Sequence, residues 1–394
     1  MSQSSITLIQ GAQVYAPQSL GQLDVMIVGD RIVAIAPQLP VPNIACRVID
    51  GRGKWLVPGF VDALTHITGG GGEGGFHTRT PEMQLSDAIL AGVTTVTGVL
   101  GTDAITRSHQ NLIAKARALK TEGLNVVCHT GSYHLPAKSL MASIEDDLLF
   151  IPEFIGVGEV AISDHRSSQP DATQLAQLAA QTRVAGMLSG KRGVVSIHVG
   201  DAPSLLQPLW DAVASHDVTL SQFYPTHINR NATLLLAGFE HVKRGGYIDF
   251  TASTTDAILA GGEVRASEAV MRGLSAGIPE SHMSMSTDGH ASLPVFDDAG
   301  NLVALTVGEM ASLHTEWVYG VQTLGIAPEK LLRTLTQTPA EILGLADTGT
   351  IAEGSFADVL LLDADSLDIQ TVICRGQWMM HDGVLLKLGT FEVK

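Results

Sequence analysis

Five residues of types that bind metal ions or move protons lie at, or directly after, the ends of short apolar segments. They are His66, Glu159, His198, His227 and Asp288. Imidazole and carboxylate groups are ligands of Zn2+ and similar divalent ions, which lower the pKa of bound water to about 7. A single histidine at the end of a buried strand is more often structural than a ligand. Five such residues on five segments indicate a metal-dependent hydrolytic site, with Asp288 as its proton shuttle.

These residues would converge if the apolar segments were the strands of one barrel. Eight apolar runs alternate with helix-period stretches at intervals of about 30 residues. The runs are PGFVDALTH, TTVTGVLG, NVVCHTGSYH, GVGEVAISD, VVSIHVGD, SQFYPTHIN, YIDFTAST and MSMSTDG. Helices are predicted between them at residues 81–91, 107–121, 172–189, 203–215, 231–243 and 264–275. Asp171 is the predicted N-cap of the third helix.

Eight strand–helix units predict an α/β fold of the (β/α)8, TIM-like barrel type. In such barrels the catalytic residues lie at the carboxyl ends of the strands, where the five residues are expected. A doubly wound open sheet is the alternative architecture. It is disfavoured because no GxGxxG motif follows the first strand and eight units would be many for that fold.

The two ends of the chain have the pattern of short strands. Residues 5–57 include a hairpin whose turn is predicted at Gly29 and Asp30. The segments ADVLLLD (357–363) and VICRGQWMMHDGVLL (372–386) continue this pattern near the other end. We therefore predict one small β-rich domain formed by residues 1–57 and 347–394, and a barrel formed by residues 58–346.

The composition narrows the possible partners. The net charge is −16 and only 24 residues are Lys or Arg, which argues against a nucleic-acid partner. The three cysteines are far apart and have no CxxC spacing, so neither a disulfide framework nor a thiolate zinc site is indicated. No signal peptide or apolar stretch of membrane-spanning length is recognisable, and we predict a cytoplasmic protein without a membrane partner.

Several motifs carry a resemblance to a known family. PGFVDALTH, SIHVGD, PTHINRN, STDG and the closing ADVLLLD resemble the amidohydrolase superfamily. The glycine stretch GGGGEGG, with VLGTD, TGSYHLP, AISDHRS, PTHINRN and STDGHAS, resembles the isoaspartyl (β-aspartyl) dipeptidases within it, and the similarity runs nearly end to end. The resemblance implies a metal-bearing barrel with a small β-sandwich domain, a dipeptide substrate and assembly into homo-oligomers.

The resemblance also assigns residues to the substrate. It implies that Glu73, in the glycine stretch, binds the substrate's α-ammonium, and that Tyr133 stabilises the oxyanion of the scissile carbonyl. It further implies that two arginines bind the two substrate carboxylates and that two hydroxyl residues complete the polar lining: Arg166, Arg230, Thr102 and Ser292. Glycines permit a loop with positive φ close to a small ligand, although composition alone slightly favours a flexible surface loop with a solvated Glu73. A phosphate cradle is disfavoured because no GK[ST] follows.

Two departures from the family pattern concern the metal site. The family begins its barrel with His-x-His, whereas this sequence has Leu64 before His66. The family's carboxylated, metal-bridging lysine aligns with Glu159. The remaining set of Glu159, His198 and His227 resembles the single-metal arrangement of some N-acetylglucosamine-6-phosphate deacetylases. We therefore expect one Zn2+ per chain rather than two, with His66 as a weak ligand or as a hydrogen-bond donor to the reacting oxygen.

The sequence leaves three alternatives to an isoaspartyl dipeptidase. One is another amidohydrolase, such as an N-acyl amino acid deacylase, because the one-metal pattern is shared with deacetylases. A second is a catalytically impaired homologue that binds isoaspartyl peptides without cleaving them. A third is an active enzyme that has been deliberately altered at Leu64 or Glu159.

Overall fold

The computed structural model describes residues 6–296 and 302–393. The amino-terminal segment forms strands β1 (Ile6–Tyr15), β2 (Ser19–Val28), β3 (Arg31–Ala36), β4 (Arg47–Asp50) and β5 (Lys54–Pro58). β2 and β3 pair as an antiparallel hairpin whose turn is Gly29 and Asp30, as predicted. Gly29 has φ of 60°, a left-handed conformation that glycine adopts without a steric penalty.

Eight buried strands follow, and all eight coincide with the predicted apolar runs. They are β6 (Phe60–Thr65), β7 (Val93–Gly98), β8 (Asn125–Thr130), β9 (Phe154–Ile162), β10 (Val194–Val199), β11 (Phe223–Thr226), β12 (Ile248–Thr251) and β13 (Met283–Ser286). Strands β6 to β11 pair in sequence order as a parallel sheet, and β12 pairs with β13 in parallel. β12 packs beside β11, and β13 beside β6. The strands therefore curl into a TIM-like barrel.

The seam between β6 and β13 is fixed by backbone and side-chain hydrogen bonds. Asp288 N–H donates to Leu64 O over 3.1 Å, and His66 N–H donates to the carbonyl of Gly289 over 2.9 Å. The buried Asp62 carboxylate accepts from Thr287 N–H over 3.0 Å and from the Thr287 hydroxyl. Burial raises the pKa of Asp62 to about 6, although these hydrogen bonds oppose the change. These hydrogen bonds join β6 to β13 next to His66 and Asp288.

Helices cover the outside of the barrel. They are α1 (Leu85–Leu90), α2 (His109–Glu122), α3 (Ile144–Phe150), α4 (Ala172–Ser189), α5 (Gln207–Ser215), α6 (Ala232–Lys243), α7 (Asp256–Ala260), α8 (Ala266–Ser275), α9 (Ser312–Val318), α10 (Pro328–Leu335) and α11 (Gln337–Leu343). The six predicted helices are confirmed, although α1 and α5 begin four residues later than predicted. Asp171 caps α4 as predicted, because its side chain accepts a hydrogen bond from Gln174 N–H.

Both chain ends contribute to one sheet. After an antiparallel hairpin of β14 (Ser292–Phe296) and β15 (Leu302–Val307), the chain forms β16 (Val359–Asp363), β17 (Ile369–Cys374), β18 (Gln377–His381) and β19 (Val384–Leu385). These four strands extend the amino-terminal strands into a nine-stranded sheet, in which β16 lies antiparallel to β5. The shared sheet agrees with a small domain built from both ends, and its sandwich form and exact boundaries stay predictions. Across the described residues, no helix has the length and apolar character needed to cross a membrane.

Candidate active site

Three potential metal ligands converge at the carboxyl ends of neighbouring barrel strands. Glu159 lies on β9, His198 lies on β10, and His227 directly follows β11. Glu159 Oε2 lies 3.3 Å from His198 Nδ1 and 3.8 Å from His227 Nε2. One ligand atom from each of the three residues lies within 4.8 Å of the other two, and all three residues are buried. The convergence predicted from the strand ends is therefore present.

The first and last barrel strands bring two more groups to this cluster. His66 Nε2 lies 3.1 Å from Asp288 Oδ1 and 3.3 Å from Glu159 Oε1. Asp288 has φ of 52° and His227 has φ of 65°, conformations that are uncommon for residues other than glycine. Residues held in such conformations often cluster at functional sites. All five residues predicted to bind metal or move a proton are thus within one cluster.

The buried charges of this cluster shift one another's protonation. Burial alone would raise the pKa of Glu159, but the three neighbouring histidines, His198 foremost, hold it well below its usual range. Burial alone would lower the pKa of His66, but Asp288 and Glu159 outweigh that effect and raise it to about 10. Burial and the charge of His198 lower the pKa of His227 to about 4. The cluster therefore contains an ionised carboxylate beside a neutral imidazole, the forms in which these groups bind metals.

The side chains of this cluster fit a divalent metal ion. Glu159 Oε2 and His227 Nε2 are buried and make no well-formed hydrogen bond with any described residue. Buried polar atoms normally have partners, so these two unpaired atoms, 3.8 Å apart, are suited to share one cation. His227 Nδ1 bonds to the Thr251 hydroxyl over 2.6 Å, which orients Nε2 toward Glu159. This is the supporting hydrogen bond that metal-binding histidines usually have.

Tyr133 lies against the metal-ligand cluster, which is formed by Glu159, His198 and His227. Its hydroxyl is 2.9 Å from His198 Nδ1, and the two rings have centroids 4.6 Å apart. Burial and the charge of Glu159 raise the pKa of the Tyr133 phenol well above its usual value. The phenol therefore stays protonated and can donate a hydrogen bond at neutral pH.

The glycine stretch brings Glu73 into the same cavity. Gly69 and Gly71 have φ of 74° and 75°, and a Cβ on Gly69 would lie 2.4 Å from the carbonyl oxygen of Thr80. Only glycine fits there, because the loop is left-handed and crowded by backbone. The glycines thus permit the turn that leads to Glu73, whose side chain is only 9% exposed.

Three predicted substrate-binding residues surround the Glu73 carboxylate. Ser292 donates to its Oε2 over 2.9 Å, and Thr102 donates to its Oε1 over 3.3 Å. Arg166 Nη1 lies 3.5 Å from the same Oε1. These residues, together with His66, His198, His227 and Asp288, line one cavity of about 600 Å3, which also includes Arg230. The cavity therefore brings together all the predicted substrate-binding residues, with Arg230 separate from the Glu73 cluster.

Comparison with known proteins identifies the family of this site. A model of the amidohydrolase family matches residues 214–379. β-Aspartyl dipeptidase from the thermophile Fervidobacterium islandicum AW-1, solved in complex with a β-Asp-Leu dipeptide, is 40% identical and has a TM-score of 0.94, with 100% of each chain covered. The chain belongs to the β-aspartyl dipeptidase family of amidohydrolases.

The further comparisons include a second β-aspartyl dipeptidase structure and a more distant enzyme. A second structure of the F. islandicum β-aspartyl dipeptidase is 38% identical, with a TM-score of 0.89 over 98% of this chain and 100% of that one. Adenine deaminase from Deinococcus radiodurans is 26% identical over 370 residues, and the alignment covers 90% of this chain but only 58% of that enzyme. As a member of the β-aspartyl dipeptidase family, the protein is a hydrolase.

Leu64 stands where the β-aspartyl dipeptidase resemblance predicts the first histidine of His-x-His. Its side chain is 2% exposed and offers no ligand atom. Its backbone carbonyl still accepts the hydrogen bond from Asp288 N–H. The residue therefore retains a part in closing the barrel beside Asp288, although it cannot bind a cation.

Asp164 is a further residue of this candidate site, and the sequence alone assigned it no role. Its carboxylate accepts from Arg166 through Nε over 3.0 Å and Nη2 over 2.8 Å, and lies 3.0 Å from His198 Nε2. Burial alone would raise the pKa of Asp164, but His198 and Arg166 hold it far below its usual range. Because an ionised carboxylate only accepts, His198 carries its proton on Nε2 and turns Nδ1 toward Glu159 and Tyr133. The position of Asp164 just after β9 is a sequence feature that could have indicated its role.

Proposed function

We propose that this protein hydrolyses the β-aspartyl peptide bond of isoaspartyl dipeptides with the help of one bound metal ion. The observation that carries the proposal is one cavity with a Glu–His–His cluster, a buried carboxylate and two arginines. An isoaspartyl dipeptide has one ammonium and two carboxylates, so its charges are opposite to those of Glu73, Arg166 and Arg230. The similarity to an enzyme crystallised with β-Asp-Leu supports the same small-molecule substrate class.

Glu159, His198 and His227 would hold the ion, and Zn2+ suits this mixture of carboxylate and imidazole ligands. When bound, the ion would polarise the scissile carbonyl and acidify the attacking water. Leu64 offers no ligand atom, and Glu159 stands where the family has a carboxylated, metal-bridging lysine. Both residues favour one ion over a bridged pair. His66 would add a weak ligand or donate a hydrogen bond to the reacting oxygen.

The protein's own groups would manage the protons and the developing charge. Asp288 would accept the proton of the attacking water and return it to the nitrogen of the departing amine, so that no net proton is consumed. Tyr133 would donate a hydrogen bond to the carbonyl oxygen as it becomes negative. Its hydroxyl now bonds to His198 Nδ1, and use of that nitrogen as a ligand would free the phenol for the substrate.

Substrate binding would divide between the two sides of the cavity. Glu73, held by Thr102 and Ser292, would bind the α-ammonium of the isoaspartyl residue. Arg166, oriented by Asp164, would bind the free carboxylate of the isoaspartyl residue. Arg230 would bind the carboxylate of the leaving residue.

The direct test compares β-Asp-Leu with α-Asp-Leu and N-acetylleucine as substrates of zinc-loaded protein. We expect free aspartate and leucine from β-Asp-Leu and much slower cleavage of the other two, because only β-Asp-Leu presents its carboxylates and ammonium in the proposed arrangement. Amino acid analysis of the products measures the outcome. Preferential cleavage of N-acetylleucine would favour a deacylase. Thermal stabilisation by β-Asp-Leu without product release would favour a binding homologue.

Replacing Glu73 with Gln should weaken substrate binding more than turnover. The amide keeps the shape and can still bond to both hydroxyls, accepting from one and donating to the other, but it cannot balance an ammonium charge. A charged hydrogen bond contributes about 1.5–3 kcal/mol, so we expect KM for β-Asp-Leu to rise by about 10- to 100-fold with a much smaller change in kcat. Glu82→Gln, at an exposed carboxylate near the same loop, is the matched control. An unchanged KM in Glu73→Gln would remove Glu73 from ammonium binding.

A further inference from the structure

Glu263 is a second carboxylate in the cavity, outside the barrel strands and outside the roles described above. It lies between α7 and α8 and lines the cavity together with Arg230. The next residue, Val264, donates its N–H to Asn229 O over 2.9 Å, and the Asn229 side chain donates to Val264 O over 2.8 Å. This two-way pairing fixes Glu263 beside the segment that carries Arg230.

One oxygen of the Glu263 carboxylate has no well-formed hydrogen bond in the described part of the chain. Its Oε1 atom is shielded from solvent and makes no hydrogen bond with any described residue. Burial raises the pKa of Glu263 to about 7, although the nearby Thr254 hydroxyl and the positive charge of Arg230 act in the opposite direction. A shielded carboxylate oxygen without a hydrogen bond is costly, and a bound cation or hydrogen-bond donor would remove that cost.

Arg230 does not neutralise Glu263 directly. Its Nε donates to Val199 O over 3.2 Å, and no carboxylate oxygen of the described residues lies within 4.0 Å of its guanidinium. The two opposite charges are therefore neighbours but not an ion pair. Both remain available to a ligand, Arg230 for an anionic group and Glu263 for a cationic one.

Part of the wall of this cavity is apolar. Ile258, Leu293 and Val295 line the cavity, and Ile258 is in α7 while the other two are in β14. A lysine or arginine side chain combines an aliphatic stem with a charged head, so its stem can lie along such a wall while its head reaches a carboxylate. A leucine side chain would contact the wall but would offer no positive charge to Glu263.

We propose that Glu263 makes the cavity select isoaspartyl dipeptides whose leaving residue has a cationic side chain. This inference rests on the proposed dipeptidase function. The carboxylate of the leaving residue lies at Arg230, its aliphatic stem lies along Ile258 and Leu293, and its ammonium or guanidinium group pairs with Glu263. The enzyme then favours isoaspartate followed by lysine or arginine.

The experiment compares β-Asp-Lys with β-Asp-norleucine, which has a similar stem without the ammonium group. We expect kcat/KM of the wild-type enzyme to be about tenfold or more higher for β-Asp-Lys, as a charge-assisted hydrogen bond in a partly buried site implies. Glu263→Gln should bring the ratio of the two kcat/KM values close to one. Glu263→Lys should reverse the charge preference and favour β-Asp-Glu over β-Asp-Lys. Glu240→Gln, at a carboxylate on the outer helix α6 that pairs with Arg244, is the control and should keep the wild-type ratio.

The outcomes separate this inference from the function on which it rests. Equal kcat/KM for β-Asp-Lys and β-Asp-norleucine in the wild-type enzyme would overturn the role of Glu263 and leave the dipeptidase proposal standing. An equal loss on both substrates in Glu263→Gln would also overturn it, because Glu263 would then act only through Arg230. Failure of the folded, zinc-loaded wild-type protein to cleave any isoaspartyl dipeptide would overturn both proposals.

Discussion

Replacing Asp288 with Asn is expected to lower kcat for β-Asp-Leu by about 1,000-fold while the protein stays folded. An amide has nearly the same shape as the carboxylate but cannot accept a proton from water or deliver one to the leaving amine, and general acid–base catalysis typically contributes about 100- to 10,000-fold. Initial-rate measurements at saturating substrate give kcat. The Asp288 backbone N–H still reaches Leu64 O, so the seam of the barrel should persist.

The measurement must separate proton transfer from metal binding, because Asp288 lies beside the metal-ligand cluster. Zinc content of the purified variant, determined by elemental analysis, should match that of the wild-type enzyme. Asp217→Asn, at an exposed carboxylate outside the cavity, is the control and should keep wild-type kcat. An Asp288→Asn variant that holds its zinc and turns over at near wild-type rates would exclude Asp288 as the proton shuttle.

Glu159→Gln is expected to remove both the metal and the activity. The carboxylate lies between His66, His198 and His227, and the neutral amide loses the charge that compensates the cation. Since a catalytic metal contributes several kcal/mol of transition-state stabilisation, we expect kcat/KM to fall by about 1,000-fold or more. Treatment of the wild-type enzyme with a chelator should give the same loss, and added Zn2+ should reverse it.

The comparison variant is Glu153→Gln, because Glu153 directly precedes β9 and so lies at the opposite end of the strand that carries Glu159. Glu153 is itself buried, but it pairs with Arg117 and Lys120 rather than with the metal-ligand cluster, so Glu153→Gln should leave the zinc content at one equivalent per chain. Zinc bound at full occupancy in Glu159→Gln would contradict the ligand role. Two equivalents in the wild-type protein would contradict the single-ion site.

The barrel and its metal-ligand cluster could be predicted because the same short segments encode both. An apolar run such as VVSIHVGD is long enough for a strand but too short for a typical helix. Its histidine, His198, lies near the carboxyl end of the strand, where barrels place their catalytic residues. His198 and His227 were therefore predicted as neighbours without a structure. Glu73 could not be found this way, since a loop of glycines does not specify where its one carboxylate points.

Residues whose position depends on contacts distant in sequence were missed. Asp164 follows β9 in the motif AISDHRS. Its hydrogen bonds with His198 and Arg166 can be recognised only when the side-chain orientations are known. Glu263 belongs to no apolar run, and it reaches the cavity through the pairing of Val264 with Asn229. Helix α3 and the β14–β15 hairpin were also missed. They lie in connections between the predicted units, where periodicity gives little guidance.

The pairing of β5 with β16 has a consequence for how the chain is made. Pro58 and Val359 are partners in the sheet, so about 300 residues are added between the synthesis of one strand and that of the other. At about 5–20 residues per second, the first strands leave the ribosome roughly 15–60 s before their partners exist. During that interval the edge of β5 is open to pairing with other nascent chains, and the intervening barrel has time to form before the sheet beside it is completed.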